Sequence, residues 1–212
     1  ITGAGRAFSA GGDVKSMQSD DKPPSEFRDR VLEMHAWLRP LHNLNCPVIA
    51  AVNGLAYGGG FALALAADFV LAADSARFCA VFGRIGLIPD MALLYTLPRV
   101  VGTQRAKELM FTARSIDAQE AKELGIVLSI HRDDSLQKEA IAFAHRLAQG
   151  SKEAMGLTKQ LINRTTQSDY DTMADLEANG QAMMHETEFH KEAVRRFAAK
   201  EAGLFNWDEM DR

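Results

Sequence analysis

From residue 27 the apolar positions Phe27, Val31, Met34, Leu38 and Leu41 step by four and three, the repeat of a helix with one buried face. Pro23-Pro24 delays that helix until Ser25, and Pro40 and Pro47 bring it to an end. Residues 47–52 (Pro-Val-Ile-Ala-Ala-Val) then form a continuous apolar run before Asn53-Gly54, the pattern of a strand buried on both faces, and residues 69–73 form a second. Between them Gly58-Gly59-Gly60 opens a short apolar helix over 61–67. Further on, Asp117 with Glu120 reads as an N-cap with Glu at the third helical position, and Gly125 as the residue that closes the helix. Residues 126–130 follow as a strand. From 135 to about 200 the pattern is nearly all helical, broken at Gly150-Ser151 and Ser168-Asp169. Strands alternating with helices and then helices alone predict an α/β core over 1–134 and a helical region over 135–212, one functional domain in all. The longest linker is the polar stretch 19–25, and there are no repeats.

Composition narrows the function classes. The chain has 212 residues, 47% of them hydrophobic, which suffices for one well-cored domain. A formal charge of −4 leaves no basic surface for phosphate backbones, so nucleic acid is not expected as a partner. Cys46 and Cys79 stand in apolar runs without metal-ligand spacing and read as core thiols of a reducing compartment. The most apolar stretch, 54–67, falls short of the ~20 residues a membrane helix needs. With no export signal at the start, a cytoplasmic protein is expected. The chain opens Ile1-Thr2-Gly3 in what reads as the end of a strand, and further N-terminal strands are expected before it.

Two glycine-rich loops are the candidates for chemistry. Ala7-Phe8-Ser9-Ala10-Gly11-Gly12-Asp13 nearly matches a serine-hydrolase elbow, but Ala7 replaces the first glycine and no His lies in a comparable loop. Its other use is its backbone: small residues leave N–H groups uncovered to bind an oxyanion or phosphate. Asn53-Gly54 through Gly58-Gly59-Gly60 repeats the arrangement and fits neither dinucleotide nor nucleotide-triphosphate spacing. Glycines could equally serve only to let a helix approach a strand closely, and both readings stand. His185 and His190, five apart, do not share a helical face as metal ligands would, and no metal is expected.

The two loops, Phe8-Ser9-Ala10-Gly11-Gly12-Asp13-Val14-Lys15 and the run from Pro47 to Gly60, resemble the signature loops of the crotonase (enoyl-CoA hydratase/isomerase) family. So do Ile85-Gly86-Leu87-Ile88-Pro89-Asp90 leading to Leu97-Pro98-Arg99, and Ala118-x-Glu120-Ala121-x-x-x-Gly125, all in the family's order. The resemblance implies a ββα spiral with a helical C-terminal region and an acyl-CoA thioester substrate. No cofactor is implied beyond the coenzyme A that the substrate carries. It places the amides of Gly12 and Gly59 in an oxyanion hole, and Arg6, Ser9, Ala10 and Lys15 along the coenzyme A path. Phe197 and Lys200 would close a CoA site in a homotrimer or dimer of trimers. Ala62, Phe82 and Met91 would line the acyl pocket.

Here the chain departs from the family's hydratases, because Ala62 and Phe82 stand where two catalytic Glu would be. Neither can relay a proton to water. Asp90 remains, the acid some family isomerases carry, and one carboxylate suffices for a double-bond shift from 3-enoyl-CoA to 2-enoyl-CoA. Asp90 also reads as an N-cap for a helix from Met91. Met91-Ala92-Leu93-Leu94 replaces the glycines that tend to follow this acid, so the acyl pocket is reshaped. A hydratase with other acids, or a CoA-ester-binding homologue without chemistry, are the rival functions.

Overall fold

A computed structural model describes residues 1–17 and 23–209. Residues 19–22 of the expected linker lie outside the described residues. The chain divides into two compact units: Ile1–His42 with Val48–Ala140, and Asn43–Pro47 with Ile141–Arg212.

The first unit holds two sheets. Strands β1 (Ala7–Ser9), β3 (Leu55–Tyr57) and β5 (Arg77–Cys79) run parallel, with β6 (Ser115–Asp117) antiparallel on the outer side of β5. The other sheet is wholly parallel, in the order β2 (Ile49–Val52), β4 (Phe69–Ala73), β7 (Ser129–His131). Successive strands β1 to β5 alternate between the sheets, so each connection carries the chain from one to the other. As the apolar runs predict, β2 and β4 are buried along nearly their whole length. Asn53 makes the change from β2 to β3 possible. Its carboxamide accepts from the Gly3 N–H at 2.9 Å and donates to the Gly5 carbonyl at 3.0 Å, pinning the N-terminal stretch over the turn. Thr2 pairs in parallel with Ala51 beside β2.

Helix α1 (Val14–Met17) starts where the Asp13 carboxylate accepts from the Lys15 N–H at 3.0 Å. Helix α2 (Pro24–His42) begins one residue earlier than expected and carries Pro40 inside its last turn. Proline at the first helical position gives up only an N–H that has no acceptor there. The apolar stripe of α2 is only partly covered: Leu38 is buried, Val31, Met34 and Leu41 are half-buried, and Phe27 is exposed. Helix α3 (Gly59–Leu65) is buried and takes its glycines into its first turn. Its Phe61 meets Phe78 of β5 with ring centroids 5.6 Å apart. Asp68 accepts from the Val48 N–H at 2.7 Å and so fastens the α3–β4 turn to the start of β2.

Helix α4 (Leu93–Thr112) is kinked at Gly102, and α5 (Ala118–Glu123) has the expected capping geometry, the Asp117 carboxylate accepting from the Glu120 N–H at 2.9 Å. Gly125 follows with φ 77°, the left-handed residue that ends the helix. The next strand starts later than 126, because the N–H groups of Ile126 and Val127 both donate to the Ala121 carbonyl. Pairing with β4 therefore begins only near Ser129.

The chain passes into the second unit within α6 (Leu136–Leu147). Helices α7 (Lys152–Ile162) and α8 (Tyr170–His185) start at the expected breaks, with Ser151 and Asp169 accepting from Ala154 and Thr172 N–H groups. A further break has Thr187 capping α9 (Glu188–Ala199). The segment Asn43–Pro47 is held against α7: the Lys159 ammonium donates to the Cys46 carbonyl at 3.2 Å, and Gly156 leaves room for Asn45. Cys79 is buried as a core thiol should be, whereas Cys46 is only half-buried on this strap.

One contact in the first unit leaves no tolerance. A Cβ on Gly60 would collide with the carbonyl and Cβ of Ser9, so α3 can approach the end of β1 only through glycine. Gly60→Ala is expected to lower stability by about 2 kcal/mol or more, because backbone must move to admit it. Gly83→Ala, where a Cβ would meet nothing closer than the Met110 carbonyl at 3.5 Å, is expected to stay within about 0.5 kcal/mol of wild type. Urea unfolding of both variants checks the contrast.

Candidate active site

The end of β1 and the start of α3 bring the two glycine-rich loops together. Gly11, at φ 87°, lies so close to the second loop that a Cβ there would be 2.7 Å from the Tyr57 carbonyl and 3.3 Å from the Gly59 nitrogen. The flanking amides are engaged: Gly11 N–H donates to the Ser9 hydroxyl at 3.3 Å and Gly58 N–H to the Cys79 carbonyl at 2.9 Å. Gly59 opens α3, so its N–H is among those that a helix leaves without an internal acceptor. Gly12 is the next residue after Gly11 and is exposed. The glycines thus divide their work, Gly11 and Gly60 permitting close packing while Gly59 presents an amide beside them.

Around Gly59 the surroundings are apolar. Ala62 is fully buried in α3, and Phe82 is buried with its ring edge toward Gly58. Neither position offers a carboxylate. Met91 lies against Gly59, its sulfur 2.8 Å from where a Gly59 Cβ would stand. Asp90, immediately before it, is half-buried.

The cap reading of Asp90 does not describe this turn. Helix α4 starts at Leu93, its cap position is Ala92, and no side chain caps it; Asp90 contributes its backbone carbonyl, which accepts from the Leu93 N–H at 2.9 Å. Burial pushes the Asp90 carboxyl above the ordinary carboxylate range, against weaker pulls from its own backbone N–H and from the charge of His35 on α2. His35 carries no motif in the sequence. Its only signal there is a polar residue beside Met34 on the half-buried stripe of α2.

Of the coenzyme A candidates, Arg6, Ala10 and Lys15 are exposed and Ser9 is half-buried, all in the first unit around the first loop. Phe197, 86% exposed, and Lys200, in left-handed conformation at the end of α9, belong to the second unit. The rings of His185 and His190 stand edge-on 4.5 Å apart across the α8–α9 junction. Among the described residues no three His, Cys, Asp or Glu are grouped to hold a metal ion, and no helix is long and apolar enough to cross a membrane.

The sequence profile of the enoyl-CoA hydratase/isomerase family matches residues 1–209. The chain belongs to the enoyl-CoA hydratase/isomerase, or crotonase, family. It is 37% identical over 207 residues to the 1,2-epoxyphenylacetyl-CoA isomerase of Escherichia coli K12, covering 97% of this chain and 79% of that protein. It is also 37% identical over 168 residues to the carnitinyl-CoA dehydratase of the same strain, covering 79% of this chain and 63% of the dehydratase. The chain thus spans less than two thirds of that relative's length. The structure of an enoyl-CoA hydratase/isomerase from Cupriavidus metallidurans CH34 superimposes with a TM-score of 0.88 at 40% identity, over 92% of this chain and 74% of that one. The α/β arrangement of two sheets and flanking helices is therefore the crotonase fold expected from the loops.

The raised Asp90 carboxyl carries a pH signature in stability. A carboxyl whose folded pKa lies above its unfolded one contributes stability that is fully present below the unfolded pKa and is lost as pH rises through the folded one. At neutral pH the charged Asp90 therefore disfavours the fold. Asp90→Asn is expected to melt higher than wild type at pH 7, with the difference vanishing toward pH 3; equal melting temperatures at both pH values would show that burial does not act on this carboxyl.

Proposed function

We propose that this crotonase-family chain isomerises 3-enoyl-CoA to 2-enoyl-CoA with Asp90 as the proton carrier. The observation that supports the reading is the contact of the Met91 thioether, next in sequence to Asp90, with Gly59, while both hydratase positions are apolar. The chemistry follows from charge. Asp90 takes a proton from C2, the freed pair forms C1=C2 and the carbonyl pair moves onto the thioester oxygen, giving a dienolate. When that charge collapses back to the carbonyl, C1=C2 becomes C2=C3 and the C3=C4 pair bonds a proton at C4. Backbone N–H groups of Gly12 and Gly59 donate to that oxygen, where charge develops and little rearrangement is needed. The same proton returns at C4, so nothing is consumed. A carboxyl raised by burial holds and releases a proton nearer neutral pH than an exposed one. Arg6 and Lys15 serve the coenzyme A phosphates, and Phe197 and Lys200 close a CoA site in a trimer of this chain.

A second reading draws on the dehydratase relative, which acts on carnitinyl-CoA. It requires a group that activates water, and the apolar Ala62 and Phe82 speak against it.

Asp90→Asn is expected to lower turnover of a 3-enoyl-CoA by about 100-fold to 10,000-fold, the usual loss for a general base. Hydration of crotonyl-CoA by wild type is expected to be slow or undetectable, followed as loss of the conjugated thioester absorbance. Rapid hydration would favour the second reading; full isomerase activity in Asp90→Asn would remove Asp90 from the mechanism.

A further inference from the structure

Met91 and Ala92 both sit in left-handed backbone, at φ 48° and φ 64°. For residues with a Cβ this conformation costs about 1–2 kcal/mol each, and it persists only where the surroundings over-determine it. They do so here from the C-terminal side. Leu93 is fully buried and its N–H is held by the Asp90 carbonyl, while the N–H groups of Tyr95 and Thr96 both donate to the Ala92 carbonyl at 2.9 Å. The Thr96 hydroxyl donates to the same carbonyl at 3.1 Å. The turn therefore aims the Met91 side chain in a set direction, onto Gly59.

The geometry points to Met91 as the residue that sets how bulky an acyl group the site admits next to the thioester, holding it to slim, unbranched chains. The inference rests on the proposed role of the Gly59 amide. If that amide holds the thioester oxygen, the carbons beyond it must pass beside whatever covers Gly59, and the thioether of Met91 covers it. Phe82 and Val81 close the side toward Gly58, and Ala62 lies fully buried in α3, so Met91 is the half-exposed, unbranched wall that can yield. Methionine is unbranched and adaptable, so it can move aside for a slender chain.

The test compares a linear 3-hexenoyl-CoA with 4-phenyl-3-butenoyl-CoA in wild type, Met91→Gly, Met91→Ala and Met91→Leu. Met91→Gly suits the left-handed backbone and guards against a folding failure; Met91→Ala keeps the strain, so an effect shared by both belongs to the lost side chain. Both are expected to raise the phenyl-to-linear ratio of kcat/KM at least about tenfold, the scale on which apolar pockets discriminate. Met91→Leu, of similar bulk, should keep the ratio within about threefold. Calorimetry with hexanoyl-CoA and 4-phenylbutanoyl-CoA, which keep the thioester but cannot isomerise, reads the same ratio as relative Kd. A shift in the Kd ratio without turnover in wild type would retain the wall and reject the isomerase. Turnover with neither ratio shifted in Met91→Gly and Met91→Ala would retain the isomerase and overturn the wall.

Discussion

The contact of α3 on the end of β1, at Gly60 and Ser9, is the constraint on which the rest of the first unit depends. Two backbones meet there at a distance that no side chain permits, and a second close approach stands beside it, where Gly11 meets the Tyr57 carbonyl and the Gly59 nitrogen. Close packing and presentation of an amide are one arrangement. If α3 stood farther from β1, Gly59 would face water beside the first loop instead of standing against it. The alternation of strands between two sheets has the same dependence, since β1 pairs with β3 only while the Asn53 turn keeps the N-terminal stretch over it.

The proposed reaction rests its titratable chemistry on one acid, Asp90. The partial burial of Asp90 disfavours its charged form and so moves its carboxyl toward neutral pH. In the proposed reaction, function and stability therefore pull in opposite directions at this residue. The contrast with Arg114 shows how a structural group differs: it is bonded to both Glu108 and Glu120, and its guanidinium holds Glu108 below the ordinary carboxylate range. On Asp90 the pulls toward the charged form, from its own backbone N–H and from His35, are outweighed by burial.

What the sequence made legible was periodic or chemically marked. The β2 and β4 runs, the Asp117 cap with Gly125 after α5, and the Ser151 and Asp169 starts each rest on an apolar repeat or a capping side chain. The strands β3, β5 and β6 escaped because three residues cannot show a period, and their pairing partners are distant in sequence. The shift of β7 escaped because Ile126 and Val127 are apolar for another reason: they are buried in a turn bonded to Ala121. In the site, both loops and Asp90 were visible as motifs. The start of α4 was not, because Pro89-Asp90 is a conventional helix opening and the opening the chain adopts, a left-handed Met91-Ala92 pair, is one that sequence preference argues against.

The strain of that turn is set against the burial of the helix it opens. Two non-glycine residues in left-handed backbone cost about 2–4 kcal/mol together. Leu93 and Leu97, each with no exposed surface, contribute about 3–6 kcal/mol by leaving water. Burial outweighs strain, so the turn is held by α4 itself and not by capping. Glycine at 91 and 92 would remove the strain but also the side chain that lies on Gly59, and would leave the turn freer to swing. Asp90 is carried on that turn, joined to Leu93 by its own carbonyl. The placing of Asp90 is thus set by how firmly two leucines of α4 are buried, which ties the proposed chemistry to the packing of the core.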